Sequence, residues 1–551
     1  MSRMKRPGRR PPVAACNYLG PLLIIALATL ALYGGFLASP LVFDDFSYFS
    51  DAVDGELKPK PDFGLRWLPV ASFTWIHNVL GADLIWQRSA NLALHIVNSS
   101  LLFVFLARLF ECVMPKEQSG AFVVAGRTLP TWPWLAFSGA LWFALNPAAV
   151  YGVAYLAQRT ILMASLFALL TWLLLLEGVV RERQRWLLAS CLAYLLAVYS
   201  KEHALMVPAV AFALTMLVRK PSRRLWIQLG PTFFLYGLIA AYTYYQVKSG
   251  GVVGRPYEPN AYSALDSLGI DPSQSYALSV VTQGFLFFKY LLLWIVPNPG
   301  WMSVDMVERF VRSYFTWPET PVFLAFLAYP VLAALLLWQR GRLGLLGFAM
   351  LAPWLLFATE IATVRMQEMF VLYRSYLWMP CLAAALPVLI KGVPVRYAIP
   401  FAVAVPLALS VASWNRLSSF SDSILLWDDA LRKAAGRGEA FRLGRMYHNR
   451  GVAHLGSKGY EEAIRDFNAA LDIFPNYTLL YNDRAVAYLE TGQYQKALRD
   501  YDQAILLKPD YYNPYLGRAL VHEALGNVAA ARLDYGRSCR LGVQEVCAQG
   551  Q

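Results

Sequence analysis

Charged residues are scarce in this chain, and their scarcity is uneven. Only 15% of the 551 residues are charged, whereas a soluble domain usually carries about 25%, and 57% are apolar. From Ser418 onward there are 16 basic and 16 acidic residues, so the whole net charge of +13 lies in the first 417 residues. Most of the chain is therefore not built to face water, and only its tail has a soluble composition.

Several motifs of soluble enzymes are missing. The chain has no phosphate-binding glycine loop, no nucleophile elbow and no HExxH, and nothing in it indicates nucleotide hydrolysis. His77, His95 and His203 are not spaced as metal ligands on one helix. No basic tract interleaved with aromatic residues lies outside the loops between apolar segments, which argues against nucleic-acid binding.

Cysteine is also rare, and no pair among the six has the spacing of a zinc site or a thioredoxin-like centre. Cys539 and Cys547 lie close together in the tail, and Gly542 between them permits a turn. An oxidising compartment would let them bond and hold the end of the chain. The other four lie in or beside apolar segments, where small buried residues are expected: Cys16, Cys112, Cys191 and Cys381.

Long apolar runs are abundant in the first 417 residues. A membrane helix needs about 20 mostly apolar residues. The first run, 18–38, follows the basic segment MSRMKRPGRR and is too long for a typical signal-peptide core, which predicts a retained helix with a cytoplasmic amino end. Eleven crossings are predicted, at 18–38, 88–109, 131–148, 160–180, 186–199, 204–218, 226–247, 321–338, 343–359, 370–390 and 397–413.

The distribution of basic residues predicts the orientation. With eleven crossings, four short basic loops lie on the cytoplasmic side, as the positive-inside rule requires. If the ambiguous run 276–296 also crossed, the last two of these loops would face outside, so we expect it to be interfacial or re-entrant. The carboxyl terminus is then outside, as are two long loops, 39–87 and 248–319. The four loops contain Arg181, Arg183 and Arg185; Arg219, Lys220, Arg223 and Arg224; Arg340 and Arg342; and Lys391 and Arg396.

The tail contains an internal repeat of 34 residues. Tyr447, Tyr481 and Tyr515 recur at this period, and so do small, aromatic and proline positions between them. The pattern closely resembles the tetratricopeptide repeat, in which small residues let paired helices approach and aromatic residues fill the gap. We predict about three repeats over 447–551, joined to the last crossing by a connecting helix within 418–446.

Ionisable residues gather at the helix ends that are predicted to face outside. Asp44 and Asp45 lie just beyond the first helix. An acidic pair with several Arg and Lys beside a membrane suits a lipid-phosphate substrate, because Arg binds phosphate through two hydrogen bonds and Lys as a point charge. Mutual ion pairing that only steadies the bundle remains the alternative. The other members of this set are Arg66, His77, Gln158, Arg159, Lys201, Glu202, His203, Glu360, Arg365, Glu368 and Arg374.

Several longer segments follow one another in a specific order along the chain: LVFDDFSYFSD, RWLPVASFTWIHNVLG, HIVNSSLLF, WFALNPAAVYGVAYLAQRTILMASL, YSKEHALMVPA, YLLLWIVPNPGWMSVD, FVLYRSYLWMP and the trailing repeats. Their order resembles the transmembrane and tetratricopeptide-repeat O-mannosyltransferases and bacterial relatives of the same GT-C glycosyltransferase architecture. The resemblance implies an all-α fold, in which a GT-C membrane bundle of about 11 helices (1–417) carries a C-terminal solenoid.

The resemblance also implies a chemistry. The donor is a polyprenyl-phosphate-linked monosaccharide, and Asp44 or Asp45 acts as the base. Some relatives use a divalent cation and others none, and no metal ligands are predicted here. Lys201, Arg365 and Arg374 are expected near the donor phosphate, with Arg159 added from the outer set. Glu202, His203, His77 and Arg66 are expected to contact substrate.

The leading hypothesis is transfer of one sugar to a hydroxyl of an exported protein, in a bacterial inner membrane with periplasmic repeats. In a eukaryote the membrane would be that of the endoplasmic reticulum and the repeats luminal. The alternatives are transfer to a surface polysaccharide or lipid, a non-enzymatic scaffold whose repeats recruit partners, and a transporter. A transporter predicts ionisable residues deep in mid-helix, and the sequence has few besides Lys289. The tail is shorter than in animal members of the family that the chain resembles, and the segment YRSYL lacks the more acidic start that those members favour. The identities of the sugar and of the acceptor therefore stay open.

Overall fold

The computed structural model describes residues 18–42, 45, 64–114, 121–124, 127–130, 132–256, 258, 261–366, 368–435 and 440–550. Their regular secondary structure is helical apart from one antiparallel hairpin, Ala121–Val124 with Arg127–Pro130. The α-helices of the first part are Leu19–Tyr33, Trp67–Leu80, Leu84–Val113, Trp132–Ala144, Pro147–Val153, Arg159–Arg181, Gln184–Ser200, Val207–Val218, Arg223–Ser249, Ala261–Ser267, Pro272–Ile295, Glu319–Gln339, Gly341–Ile361, Leu386–Leu389 and Val395–Phe420. Short 3₁₀ segments are Gly34–Phe36, Leu156–Gln158, Glu202–Met206, Pro299–Trp301, Leu372–Tyr376 and Met379–Ala385.

Seven stretches of the described chain are long and apolar enough to cross a membrane. They are Leu19–Phe36, Leu84–Val113, Leu156–Arg181, Arg223–Ser249, Pro272–Ile295, Glu319–Gln339 and Gly341–Ile361. An eighth is added if Trp132–Ala144 and Pro147–Val153, which meet at 61°, form one bent span. The bend follows from Pro147, which has no N–H to continue the first helix, while the Asn146 side chain caps the second by accepting from Ala148 N.

The described chain therefore has fewer full-length spans than the eleven predicted. The run 186–199 forms a helix of 17 residues, Gln184–Ser200, and 204–218 is an apolar helix of only 12 residues after a 3₁₀ turn. The run 370–390 is not one α-helix, because most of it forms two 3₁₀ segments with prolines near their ends. The last predicted crossing lies inside Val395–Phe420, a helix of 26 residues.

The helix Pro272–Ile295 has the length of a full span, although the sequence predicts an interfacial or re-entrant segment. Three of its hydrogen bonds are to the connection 363–375, which follows Gly341–Ile361. Ser279 donates to Thr363 O, Tyr290 to Val371 O, and the Trp294 indole to Ser375 Oγ. Just beyond the helix, Met302 O accepts from Arg416, near the end of Val395–Phe420. Residues near both ends of this helix, Ser279 and Trp294, therefore contact the same connection.

Three of the predicted cytoplasmic loops lie together at one end of the bundle. Arg340 Nη2 donates to Arg219 O at 2.7 Å. Glu182 lies 3.6 Å from Arg219 Nη2 and 3.1 Å from Arg224 Nη2. The basic residues that the sequence assigns to one side of the membrane are therefore neighbours in space.

The outward surface of the bundle is apolar. Only 17% of the apolar window in Glu319–Gln339 is buried, and Leu324, Val331, Leu335 and Trp338 are all exposed. Soluble monomers rarely expose apolar patches of this size, whereas lipid tails cover them at no cost. Polar side chains instead occupy the interior, where His95 Nδ1 lies 2.7 Å from the Tyr376 hydroxyl and its Nε2 lies 3.0 Å from Ala144 O.

The tail forms a solenoid of three helix pairs. Small residues at the predicted positions let paired helices meet, and a Cβ at Gly451 would lie 2.6 Å from the Phe467 ring. The pairs are Ala440–Gly456 with Tyr460–Ile473, Thr478–Glu490 with Tyr494–Leu507, and Asn513–Ala524 with Val528–Arg540. Cys539 and Cys547 form the predicted disulfide, with their Cα atoms 5.0 Å apart.

An Arg–Asp pair also repeats every 34 residues. In each helix pair an Arg on the first helix makes two hydrogen bonds to an Asp on the second, 16 residues later. The same Arg reaches back to the preceding helix pair or, in the first pair, to the connecting helix. The pairs are Arg450–Asp466, Arg484–Asp500 and Arg518–Asp534. Bidentate pairing of this kind holds both helices of a pair in register.

The solenoid is fastened to the bundle by its connecting helix, Ser423–Ala434, which begins at the cap Asp422. Asp429 on this helix lies 2.7 Å from Arg416 Nη1 and 2.7 Å from Lys433 Nζ. Lys433 also donates to Pro299 O and Met302 O. The last bundle helix, the connection 299–302 and the connecting helix therefore form one polar junction.

Candidate functional site

Asp45 is fully buried and binds the backbone. Its Oδ1 accepts from Ala157 N at 2.7 Å and its Oδ2 from Val42 N at 3.1 Å. Arg88 lies beside it and donates to Ser39 O, Pro40 O and Ala154 O. These bonds tie the chain after the first helix to the segment that precedes Arg159–Arg181.

Burial raises the pKa of Asp45 to about 7, although the Ala157 N–H and the Arg88 charge lower it. A base with a pKa near the working pH is well suited to proton transfer, but it must also reach its substrate. Both Asp45 oxygens are occupied by backbone donors, so this carboxyl is placed to hold the loop. Asp44, the other predicted base, lies outside the described residues.

A chain of ion pairs runs across this end of the bundle, and we call it the ionic chain. Arg66, at the start of Trp67–Leu80, donates through Nε to Glu202 Oε2 at 3.0 Å. Glu202 Oε1 lies 3.5 Å from His203 Nδ1, and His203 Nε2 lies 3.1 Å from Glu360 Oε1. Three predicted substrate residues are thus brought together, although Arg66 lies 136 residues before the adjacent pair Glu202 and His203.

Glu360 connects these residues to two of the predicted phosphate-binding arginines. Its Oε2 lies 3.4 Å from Arg365 Nε and 3.3 Å from Arg374 Nη1. All three side chains are buried. Both ring nitrogens of His203 and Oε1 of Glu360 are buried without a well-formed hydrogen bond among the described residues. Buried polar atoms in this state commonly bind a ligand or water, which marks this part of the chain as a candidate binding site.

The ionic chain continues through Glu368 into the solenoid. Glu368 Oε2 accepts from Arg374 Nη2 at 2.9 Å and from the Tyr373 hydroxyl at 3.1 Å. Arg445, on the first repeat helix, lies 3.4 Å from Glu368 Oε1 and 2.7 Å from Asp305 Oδ2. The bundle and the first repeat therefore share one charged cluster.

Lys201 is buried next to the ionic chain. Its Nζ donates to Gln158 Oε1 at 3.0 Å and to Thr160 Oγ1 at 3.3 Å, and it lies 5.2 Å from the centre of the Tyr373 ring. Burial, followed by the charge of Arg66, lowers the pKa of Lys201 to about 7. A lysine without a carboxylate among these direct partners retains the capacity to bind an anion.

A small pocket opens beside these residues. Tyr155 and Tyr373 meet edge to face in its wall, 5.8 Å apart. Glu368 forms a charged part of the lining, and Ala157, which binds Asp45, is two residues from Tyr155. The full lining is Tyr151, Tyr155, Val304, Glu368, Val371, Tyr373 and Phe420.

Two predicted site residues lie away from the ionic chain. Arg159 donates to Asn91 Oδ1, Gln87 O and Ser72 Oγ, and its guanidinium stacks over Phe73 at 4.0 Å. These contacts fasten the helices Trp67–Leu80 and Leu84–Val113 to Arg159–Arg181 rather than presenting the guanidinium to the pocket. His77 lies eleven residues after Arg66, about 16 Å farther along the helix Trp67–Leu80.

Several contacts of the site could not be predicted from the sequence. Glu360 and Glu368 were expected at the helix end, but their role as bridges between arginines depends on pairings across the fold. Arg445 lies inside a repeat and carries no signal of its bundle partners. Nothing in the sequence around Tyr373, next to Arg374, indicates that it contributes to the site. Among the described residues no three His, Cys, Asp or Glu side chains converge as a metal-ligand set, so these residues supply no fit for a divalent cation.

Comparison with known proteins bears on the tail alone. Tetratricopeptide-repeat family models match residues 444–477 and 479–511. No curated protein matches the chain. The tetratricopeptide-repeat domain of Arabidopsis OM64 is 22% identical over 20% of this chain and 92% of its own, with a TM-score of 0.20. A chain of the APC/C hetero-tetramer Cut9-Hcn1 is 13% identical over 96% of this chain and 98% of its own, with a TM-score of 0.23. TM-scores this low support no argument about the fold.

These matches establish tetratricopeptide repeats near the carboxyl end, as the period of 34 residues predicts. Repeats of this class act in protein–protein interaction, so a protein partner is expected for the tail. The helix pair Asn513–Ala524 and Val528–Arg540 extends the solenoid beyond the matched residues.

Proposed function

We propose that this chain is a multi-pass membrane glycosyltransferase of GT-C type. It transfers a monosaccharide from a polyprenyl-phosphate donor to a hydroxyl of an exported protein. The observation that carries the proposal is the buried cluster of Arg374, Arg365 and Lys201 beside a pocket. Glu360, which pairs with both arginines, lies at the end of the helix Gly341–Ile361 that is far from Arg340 and the basic loops. A polyprenyl phosphate enters such a site from the membrane edge, and its charge requires buried cations.

The residues divide into three roles under this proposal. Lys201, Arg365 and Arg374 bind the donor phosphate and stabilise the charge that grows on it as the sugar leaves. Asp44 accepts the proton of the attacking hydroxyl, and Asp45 holds the loop that carries it. The bond formed joins the acceptor oxygen to the sugar carbon, and the bond broken is that between the carbon and the phosphate oxygen. The proton passes to Asp44.

The proposed location follows from the charge distribution. The basic loops around Arg219 and Arg340 face the cytoplasm, and the ionic chain and the repeats face the periplasm of a bacterium. The same arrangement in a eukaryote would place the repeats in the lumen of the endoplasmic reticulum. An exported acceptor then reaches the repeats and the pocket from the same side.

A scaffold is the second candidate, because the comparisons identify repeats and nothing else. A scaffold needs the solenoid but gives no reason for Lys201 to be buried next to Arg374. The two candidates are separated by incubating the purified protein with a radiolabelled polyprenyl phosphomonosaccharide and extracts of exported proteins. Label transferred to protein supports the proposal, and an absence of label in protein, lipid and polysaccharide fractions across several donor sugars supports the scaffold.

A further inference from the structure

Arg445 belongs to the solenoid by sequence but to the bundle by its contacts. It lies on the first repeat helix, Ala440–Gly456, and its Nε and Nη2 donate to Asp305 Oδ2 at 3.0 and 2.7 Å. Its Nη1 reaches Glu368 Oε1 at 3.4 Å. The side chain is only 21% exposed, so these charges interact with little screening by solvent.

Glu368 is shared between Arg445 and Arg374. Its Oε1 faces Arg445, while its Oε2 and its backbone O both accept from Arg374. Glu258 fixes the backbone at this point, because Oε1 of Glu258 accepts from Glu368 N. Burial opposes ionisation of Glu368, yet Arg445, Arg374 and Arg365 together hold the pKa of its carboxyl below its usual value.

The sharing determines how much positive charge Arg374 can offer to a ligand. Arg374 faces two carboxylates, Glu360 and Glu368, which together could neutralise it completely. Arg445 draws part of the Glu368 charge to itself. Without Arg445, the charge of Glu368 would act more strongly on Arg374, and the affinity of Arg374 for an anion would fall.

We propose that Arg445 is a positioning residue of the bundle site, which keeps Arg374 available to an anionic ligand by sharing Glu368. The site is then complete only when the first repeat is docked. The inference rests on the proposed function for the identity of the ligand, a polyprenyl phosphate. It makes the solenoid a part of donor binding as well as a surface for protein partners.

The test measures binding of polyprenyl phosphate to the full-length protein in detergent, at one fixed pH. We expect Arg445→Ala to weaken binding about tenfold, which is the effect of about 1.4 kcal/mol. The double variant Arg445→Ala with Glu368→Gln should regain most of the lost affinity, because Arg374 no longer faces the unshared carboxylate. Arg518→Ala, which breaks the equivalent clamp of the last repeat, should bind like the unmodified protein.

Rescue by Glu368→Gln distinguishes a role of Arg445 in positioning Arg374 from a role in only fastening the solenoid to the bundle. If Arg445 only fastens the solenoid, Glu368→Gln should raise the affinity by the same factor with Arg445 present and with Arg445 replaced, and that result would overturn the proposal. Unchanged binding by Arg445→Ala would also overturn it, while leaving the proposed function in place. If the intact protein does not bind polyprenyl phosphate, the proposed function fails and this role of Arg445 fails with it.

Arg445→Lys keeps the test decisive if Arg445→Ala does not fold. Lysine retains the charge that draws on Glu368 but loses the forked contact with Asp305. We expect its affinity to stay close to that of the unmodified protein. A loss as large as that expected for the alanine variant would mean that the contact with Asp305 matters instead, and the proposal would be wrong.

Discussion

Oδ1 of Asp45 accepts a hydrogen bond from the backbone N–H of Ala157 at 2.7 Å, across 112 residues of sequence. The bond joins the first outer loop to the chain that lines the pocket through Tyr155. Side chains of adjacent residues rarely point the same way. The Asp45 carboxyl is turned into the protein, where it anchors the loop. With one acid of the pair as the anchor, Asp44 is favoured as the base.

The first prediction follows from this division. Asp44→Asn removes a base while preserving side-chain size, so transfer should fall by at least about a hundredfold at normal protein levels. Asp45→Asn should also stop transfer, but with a loss of stability, because an amide cannot accept both backbone hydrogen bonds through oxygen. Transfer assays alongside thermal unfolding of each variant in detergent provide the measurement.

Matched controls use two acids that come later in the sequence and that the proposal does not use as the base. Asp51→Asn and Asp54→Asn should retain most of the transfer activity. Full transfer by both Asp44→Asn and Asp45→Asn, at normal expression, would contradict the glycosyltransferase mechanism proposed here.

The features that sequence analysis predicted well are those encoded locally. The apolar run 18–38 contains a helix because a span requires only its own composition and length. The solenoid was predicted because each repeat carries the same small and aromatic positions, such as Gly451 against Phe467. The disulfide followed from two cysteines on either side of a single turn.

What the sequence could not show depends on long-range pairing. The run 370–390 is apolar enough for a crossing, but most of it folds as 3₁₀ segments packed beside the polar residues around Tyr376. The hydrogen bonds of Arg159 could not be predicted for the same reason, since its partners lie on two other helices. Arg445 and Asp305 are 140 residues apart, and nothing in either local sequence indicates the other.

The second prediction concerns orientation. Three basic loops meet at one end through Arg340 and Arg219, and the ionic chain lies elsewhere in the bundle. We expect the amino terminus and these loops to face the cytoplasm and the repeats to face outside. A periplasm-dependent reporter fused after Gln551 should be active, and a cytoplasm-dependent reporter at the same position should be silent. The opposite pattern would overturn the topology.

The third prediction concerns the pH dependence of donor binding through Lys201. Burial, with the charges of Arg66 and Arg374, lowers its pKa to about 7 against the opposing charges of Glu202 and Glu360. The ammonium group is therefore charged below pH 7 and loses its proton as the pH rises through that value. Affinity for a polyprenyl methyl phosphodiester, whose single charge is constant, should fall about tenfold from pH 6 to pH 8.

Two variants check that Lys201 is the titrating group. Lys201→Arg stays charged over this range and should flatten the profile. Lys201→Met carries no charge and should bind weakly at every pH. A profile in Lys201→Arg as steep as that of the unmodified protein would assign the pH dependence to another group.

The fourth prediction concerns the terminal disulfide. In the chain-entropy model the eight-residue separation of Cys539 and Cys547 corresponds to about 2.5 kcal/mol of stabilisation of the last repeat. The double variant Cys539→Ser with Cys547→Ser should therefore increase proteolysis near the helix Val528–Arg540 and leave the rest of the solenoid protected. Mass spectrometry without reductant should show the two cysteines linked in protein isolated from cells, and free thiols at both positions would contradict the bridge.

The last prediction concerns recognition of the acceptor by the solenoid. A strip of polar and aromatic side chains runs along the repeats, with His448 Nε2 2.8 Å from Asp483 Oδ2, the His448 ring beside Tyr477, and Asn513 donating to the Tyr511 hydroxyl. Burial and the charge of Asp483 raise the pKa of Tyr477, and the charge of Arg445 opposes that rise. Arg445 therefore lies close to this strip, which leads towards the ionic chain.

Solenoids of this class generally present a concave surface that suits an extended peptide. Asp483→Ala and Tyr511→Ala should therefore lower modification of the natural acceptor about tenfold or more, without changing the affinity for polyprenyl phosphate. Arg465→Ala, on a 68% exposed side chain of the helix Tyr460–Ile473, is the matched control and should have no effect. A chain ending near Leu443 should also lose acceptor modification, but it lacks Arg445, so only the point variants separate acceptor recognition from donor binding. Normal modification of the acceptor by the chain without repeats would show that the solenoid has no part in recognition.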